Sequence, residues 1–99
     1  ATVTQLTSIT TGVTASKASG VITTVSSTLA AAASATFTVT NTTIATTSVV
    51  VCGVVGYAGT GTPVVRVSAV ASGSFTVTLT NAHSADALSA VVKISFIAV

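Results

Sequence analysis

The octapeptide Ser74-Phe75-Thr76-Val77-Thr78-Leu79-Thr80-Asn81 alternates without a break. Phe75, Val77 and Leu79 take one parity, and Thr76, Thr78 and Thr80 take the other. A period of two gives a strand with one apolar and one hydroxyl face. Asn81 ends it, because asparagine tolerates the left-handed backbone of a turn. A shorter counterpart stands earlier, Phe37-Thr38-Val39-Thr40-Asn41. The two copies predict two equivalent strands, one in each layer of a β-sandwich.

The composition around these phrases points the same way. The sequence has 99 residues, which make one domain, 1–99, with residues 1–8 as an arm or edge strand. Apolar residues are 49% and charged residues 4%. A globular domain is normally about a quarter charged, so the depletion is about sixfold. The surface must then be built from the 21 threonines and 13 serines. Val, Ile and Thr dominate, and their branched side chains fit a pleated sheet better than a helix. The expected class is all-β, a single-domain antiparallel β-sandwich or small β-barrel of about six to seven strands.

The segments follow in order. Residues 1–8 do not alternate cleanly, and Gln5 interrupts them; such ends are often ordered only by a partner. Residues 9–14 are expected to pair locally, with Gly12 as a bulge or turn. Residues 15–20 read as a turn and 21–26 as a strand. Residues 27–33 include Leu29 and four alanines, strong helix formers but too few for a stable helix, so a helical turn or compact connection is expected there. In 34–41, Ala35, Phe37 and Val39 face the core. Residues 48–55 are apolar on both faces, which fits a central strand or an edge covered by another subunit. Gly56 to Pro63 reads as a loop. In 64–71, Val65, Val67 and Ala69 share one face, with Arg66 and Ser68 on the other. Ser72-Gly73 closes a hairpin onto 74–81. A crossover with one helical turn is expected in 82–89. The last strand, 90–99, turns Val92, Ile94, Phe96 and Ala98 inward. Its outward row, Val91, Lys93, Ser95, Ile97 and Val99, is unusually apolar for a monomer. Phe37, Phe75 and Phe96 are the large core fillers.

Chemistry has little to work with. His83 and Asp86 stand three apart, and Ser84 and Ser89 are formal nucleophiles, but the spacing has no specificity. The bland reading puts Asp86 at the N-terminus of a helical turn. A metal site needs several His, Cys, Asp or Glu ligands, and the chain has one His, one Cys, one Asp and no Glu. No enzyme activity, cofactor or metal is therefore expected. The glycines of 56–61 lack the Gly-Lys-Ser/Thr of a phosphate loop. Cys52 is alone, so no internal disulfide forms, and its apolar setting reads as an inert thiol. Asn41-Thr42-Thr43 matches a glycosylation pattern, but Asn41 is better explained as a turn residue. Lys17, Arg66 and Lys93 make a net charge of +2 against Asp86. Three scattered cations form neither a nucleic-acid stripe nor a membrane patch, so neither partner is expected. No charged-then-apolar leader opens the sequence, so no signal peptide is expected.

Soluble sheet proteins guard their edges with charges, prolines or bulges. This chain has almost no charge to use, which predicts an oligomer or a domain docked in a larger assembly. The candidate interface is Tyr57, an amphipathic anchor beside the glycine-rich stretch, with Val91, Lys93, Ile97 and Val99 on the last strand.

Three phrases also carry a resemblance. They are Thr11-Gly12-Val13-Thr14 with Lys17 and Gly20-Val21-Ile22-Thr23, then Phe37-Thr38-Val39-Thr40-Asn41, then Gly73 to Asn81 with the ending Val92-Lys93-Ile94-Ser95-Phe96. Spanning most of the chain, they resemble small structural proteins of tailed bacteriophage virions. The resemblance implies a capsid decoration (cement) protein that stabilises the head shell, sited on the capsid exterior and made in the host cytoplasm. Its implied partners are itself, as a homotrimer, and the major capsid protein. The alternative is a head or tail fibre domain that binds a host surface glycan or receptor.

Overall fold

The computed structural model describes residues 2–6, 8–26 and 29–98. Eight strands form: β1 (Thr2–Thr4), β2 (Val13–Thr14), β3 (Ser19–Thr23), β4 (Ser34–Thr40), β5 (Val50–Tyr57), β6 (Pro63–Ala71), β7 (Ser74–Asn81) and β8 (Val92–Ala98). They make two four-stranded sheets, ordered β1-β3-β8-β5 and β2-β4-β7-β6. The chain is an all-β sandwich, and no helix occurs among the described residues. The longer strands pair antiparallel as expected, while the short β1 and β2 pair parallel to β3 and β4.

The two Phe-Thr-Val-Thr copies do not sit in opposite layers. They are neighbours in one sheet, β4 against β7, with Phe37 opposite Val77 and Val39 opposite Phe75. Alternation fixes which face a residue takes, but not which sheet the strand joins. The hydroxyl faces of both copies therefore lie side by side. Ser34 bonds Thr80 across the pair at 2.9 Å, and Thr36 bonds Thr78 at 3.0 Å. Ser68 of β6 adds a bond to Thr76 at 2.6 Å. Cross-strand hydroxyl pairs of this kind stabilise a sheet face without ionised groups.

The apolar faces meet between the layers. Phe37, Val39, Phe75, Val77 and Leu79 come from one sheet, and Ile22, Val92, Ile94 and Phe96 from the other. Phe75 and Phe96 touch across the gap, with centroids 5.4 Å apart and planes tilted by 56°. That tilted packing is a favoured aromatic geometry. Leu88, Ile44 and Ala15 close the core from the connections.

Two buried asparagines organise the ends. Asn41 and Asn81 each stand four residues after the Phe37–Val77 pair, so they are equivalent under the local two-fold of β4 and β7. Their amides bond Gly73 O and Ala33 O, both at 2.9 Å. Asn41 Oδ1 accepts from Thr43 N at 3.0 Å, and its Nδ2 donates to Lys17 O at 2.6 Å. Asn81 Oδ1 accepts from Thr62 N and His83 N, both at 3.1 Å. Its Nδ2 donates to Leu29 O at 3.2 Å and Asp86 O at 2.8 Å. Asn81 thus uses all four of its side-chain sites.

Several local expectations change or narrow. Residues 2–4 form an edge strand, β1, and Gln5 after it is buried, its Nε2 donating to Ile9 O at 2.9 Å and Thr11 O at 2.8 Å. Residues 9–14 do not pair locally, since β2 pairs with β4. Of the two readings of the alanine stretch, the compact connection holds: Ala33 N bonds Ala30 O at 3.0 Å in a tight turn, and Ala32 takes a left-handed φ of 61° where the chain enters β4. The glycine-rich loop is shorter than expected, since β5 continues through Tyr57 and β6 starts at Pro63. A bulge between Val67 and Ala69 shifts the parity of β6, so Ala69 is exposed and Val70 packs on the core instead. The β6–β7 hairpin forms as read, with Gly73 at a φ of 80°.

Candidate interaction surface

β5 is the terminal strand of its sheet, so one of the two readings of 48–55, an edge, holds. Its outward row continues that of β8: Val51 lies opposite Ile97, Gly53 opposite Ser95 and Gly56 opposite Lys93. Val51 is 57% exposed and Ile97 52%. Val49, Val55 and Val91 are exposed as well. Most of the large apolar residues left in water therefore lie on the margin formed by β5 and the outer face of β8, while Leu6 after β1 and Val64 on β6 are exposed elsewhere. Burying such side chains stabilises a complex at roughly 25 cal/mol per Å². A patch of this kind marks an interaction site more often than a solitary exposed Leu does.

At the far end of the margin is a depression of about 210 Å³, lined by Gly56, Tyr57, Ala58, Ala90, Val91 and Lys93. The Lys93 stem lies over Gly56: a Cβ on that glycine would stand 3.4 Å from Lys93 Cδ. Tyr57 is fixed by its hydroxyl, which donates to Thr60 O and accepts from Ser89 N at 2.9 Å. Thr60 N bonds Ser89 Oγ at 2.8 Å, and Thr60 Oγ1 bonds Ala87 O at 2.8 Å. The 58–62 loop is thus fastened to the 82–89 connection. Its glycines fit because the space is taken. A Cβ on Gly59 would meet Ser89 Oγ at 2.5 Å, and Gly61 has a φ of 84°.

Of the five residues picked from the sequence, Tyr57, Val91 and Lys93 share this depression. Ile97 lies further along β8, beside Val51. Val99 lies outside the described residues. Val49, Val51 and Val55 were not singled out, because an apolar run on both faces gives no hint of which face is uncovered.

The remaining polar groups act locally. His83 Nδ1 accepts from Ala85 N at 3.0 Å and Asp86 N at 2.9 Å, so His83, and not Asp86, caps the turn. Asp86 Oδ2 stands 3.8 Å from His83 Nε2. Ser89 Oγ takes the Thr60 amide. Cys52 is half-buried, and the loss of water around it pushes the thiol pKa up. The sequence matches no family model, and no curated protein or solved structure matches it either.

Proposed function

We propose that the chain is a non-enzymatic structural protein of a tailed bacteriophage virion, a capsid decoration protein that binds the head shell from outside and stabilises it. The observation that carries the reading is the uncovered apolar margin of β5 and β8, on a chain with 4% charged residues. Such a margin has to be covered in the working state, and a repetitive shell offers many equivalent seats. The three phage-like phrases supply the kind of assembly. Their strands are β2 to β4 and β7 to β8, the frame that presents the margin.

The mechanism is mechanical. Each copy contributes weak, nearly uncharged contacts, and attachment of several copies as an oligomer, a homotrimer in this reading, multiplies them through effective concentration. Apolar and hydroxyl contacts are screened little by salt, so the docking persists at high ionic strength. The partners are other copies of the chain and the major capsid protein.

The test is a particle assembled without the protein. Heating or chelation is expected to release its DNA at lower stress than from complete particles, and added protein restores resistance. Unchanged resistance with impaired adsorption to host cells would overturn the reading in favour of a fibre domain.

A further inference from the structure

We propose that His83 is an acid-sensitive latch: the neutral ring holds residues 83–86 as a closed turn against Asn81, and protonation releases that turn while Leu88 stays seated in the core.

The donors around the ring fix its tautomer. Ala85 N stands 3.0 Å from His83 Nδ1, and Asp86 N stands 2.9 Å from it. A backbone amide nitrogen only donates, so Nδ1 offers its lone pair to both. The proton of the neutral ring is then on Nε2, which stands 3.8 Å from Asp86 Oδ2. Protonation puts a hydrogen on Nδ1, where two amide hydrogens already point, and both bonds are lost together. Histidine is the side chain that ordinarily changes charge between about pH 5 and 8. The closed turn excludes the proton, so its stability is present at the upper end of that range and lost toward the lower end.

The turn hangs from the sandwich at defined points. His83 N donates to Asn81 Oδ1 at 3.1 Å, and Asp86 O accepts from Asn81 Nδ2 at 2.8 Å. Thr60 Oγ1 donates to Ala87 O at 2.8 Å. Leu88 is buried, and its amide donates to Leu29 O at 2.9 Å. The released segment therefore ends before Leu88. The imidazole is 36% exposed, so a proton reaches it without unfolding the domain.

Few other charges bear on the ring. Asp86 is the other titratable side chain of 82–89, and 29–33, 58–62 and 74–81 have none. Tyr57 meets the connection through Ser89, and Lys93 lines the depression with Ala90. Side chains of those two types ordinarily titrate near about pH 10, outside the range. Asp86 opposes the release, because its carboxylate attracts a charged ring. That pair is long, and the Asp86 side chain is 60% exposed. An ion pair so open to water returns less than two backbone hydrogen bonds take away.

The full chain, labelled with 15N, is read by NMR at pH 8 and pH 5. At pH 8 the ring is expected to show a bare Nδ1 and a protonated Nε2. Protection of the Ala85 and Asp86 amides, corrected for the intrinsic exchange rate, is expected to fall by a factor of about five or more at pH 5, with that of Leu88 unchanged. His83→Asn, which keeps a side-chain acceptor that does not titrate, removes the pH dependence, and Asp86→Asn keeps it. A protonated Nδ1 at pH 8, a smaller fall, or a matching fall at Leu88 overturns the proposal. So does a pH dependence that survives His83→Asn or disappears in Asp86→Asn. If a variant fails to fold, the ring nitrogens and the amides of the unsubstituted chain decide the matter.

Discussion

Asn81→Ala is expected to be the most damaging single polar substitution in the chain. The side chain is fully buried and makes four hydrogen bonds, to Thr62 N, His83 N, Leu29 O and Asp86 O. A net value of about 1 kcal/mol for each bond gives a loss of about 4 kcal/mol, and any partner left dry adds to it. A domain of this size has about 5–15 kcal/mol in total, so the loss is a large share. With a urea slope of about 1 kcal/mol per M, the unfolding midpoint falls by about 4 M. The assay is urea unfolding followed by circular dichroism at one fixed chain concentration, because self-association shifts the midpoint. Asn41→Ala is the internal comparison. It loses the bonds to Thr43 and Lys17 and is expected to cost less. Hydrogen exchange adds a local readout, since the amides of Thr62 and His83 lose protection before the core does. A cost below about 1 kcal/mol for Asn81→Ala would refute the idea that this residue fastens three connections to the sandwich.

Other outcomes follow from the same geometry. Ala32→Gly is expected to raise stability by about 1 kcal/mol, since glycine takes the left-handed conformation without the Cβ clash; an unfolding curve shows it. Tyr57→Phe removes a hydroxyl that serves Thr60 O and Ser89 N, costing about 1–2 kcal/mol and freeing the Ser89 amide to exchange. Cys52 is expected to react with a thiol reagent at pH 8 more slowly than a free cysteine, reaching the free rate only after unfolding. Its raised pKa also means that the folded form loses stability as pH rises through the ordinary thiol range, because the unfolded chain ionises first.

How much of this was legible in the sequence depends on what each residue pattern encodes. The alternation of 34–40 and 74–81 fixed the inward faces, and Phe37, Phe75 and Phe96 are buried as read. Ser72-Gly73 marked its hairpin because a tight turn has a sequence requirement. Sheet membership has none, so the two copies were placed in different layers although they pair. The bulge in β6 moved Ala69 out, and nothing in Val-Arg-Val-Ser-Ala-Val announces it. Gln5 looked like an interruption and His83 like half of a His–Asp pair, because their roles depend on backbone groups that only the fold brings to them. On the surface, Tyr57, Val91 and Lys93 were found together because two faces of a strand and one aromatic were visible. Val51 was not, since only the strand order reveals that β5 is an edge.

The most direct test of the account is a reconstruction of the intact particle at residue detail. The account predicts many copies spread over the head shell, with Val51, Ile97 and Lys93 covered by a neighbour. A few copies at a tail or vertex, or shell-bound copies whose β5 margin faces open solvent, would contradict it.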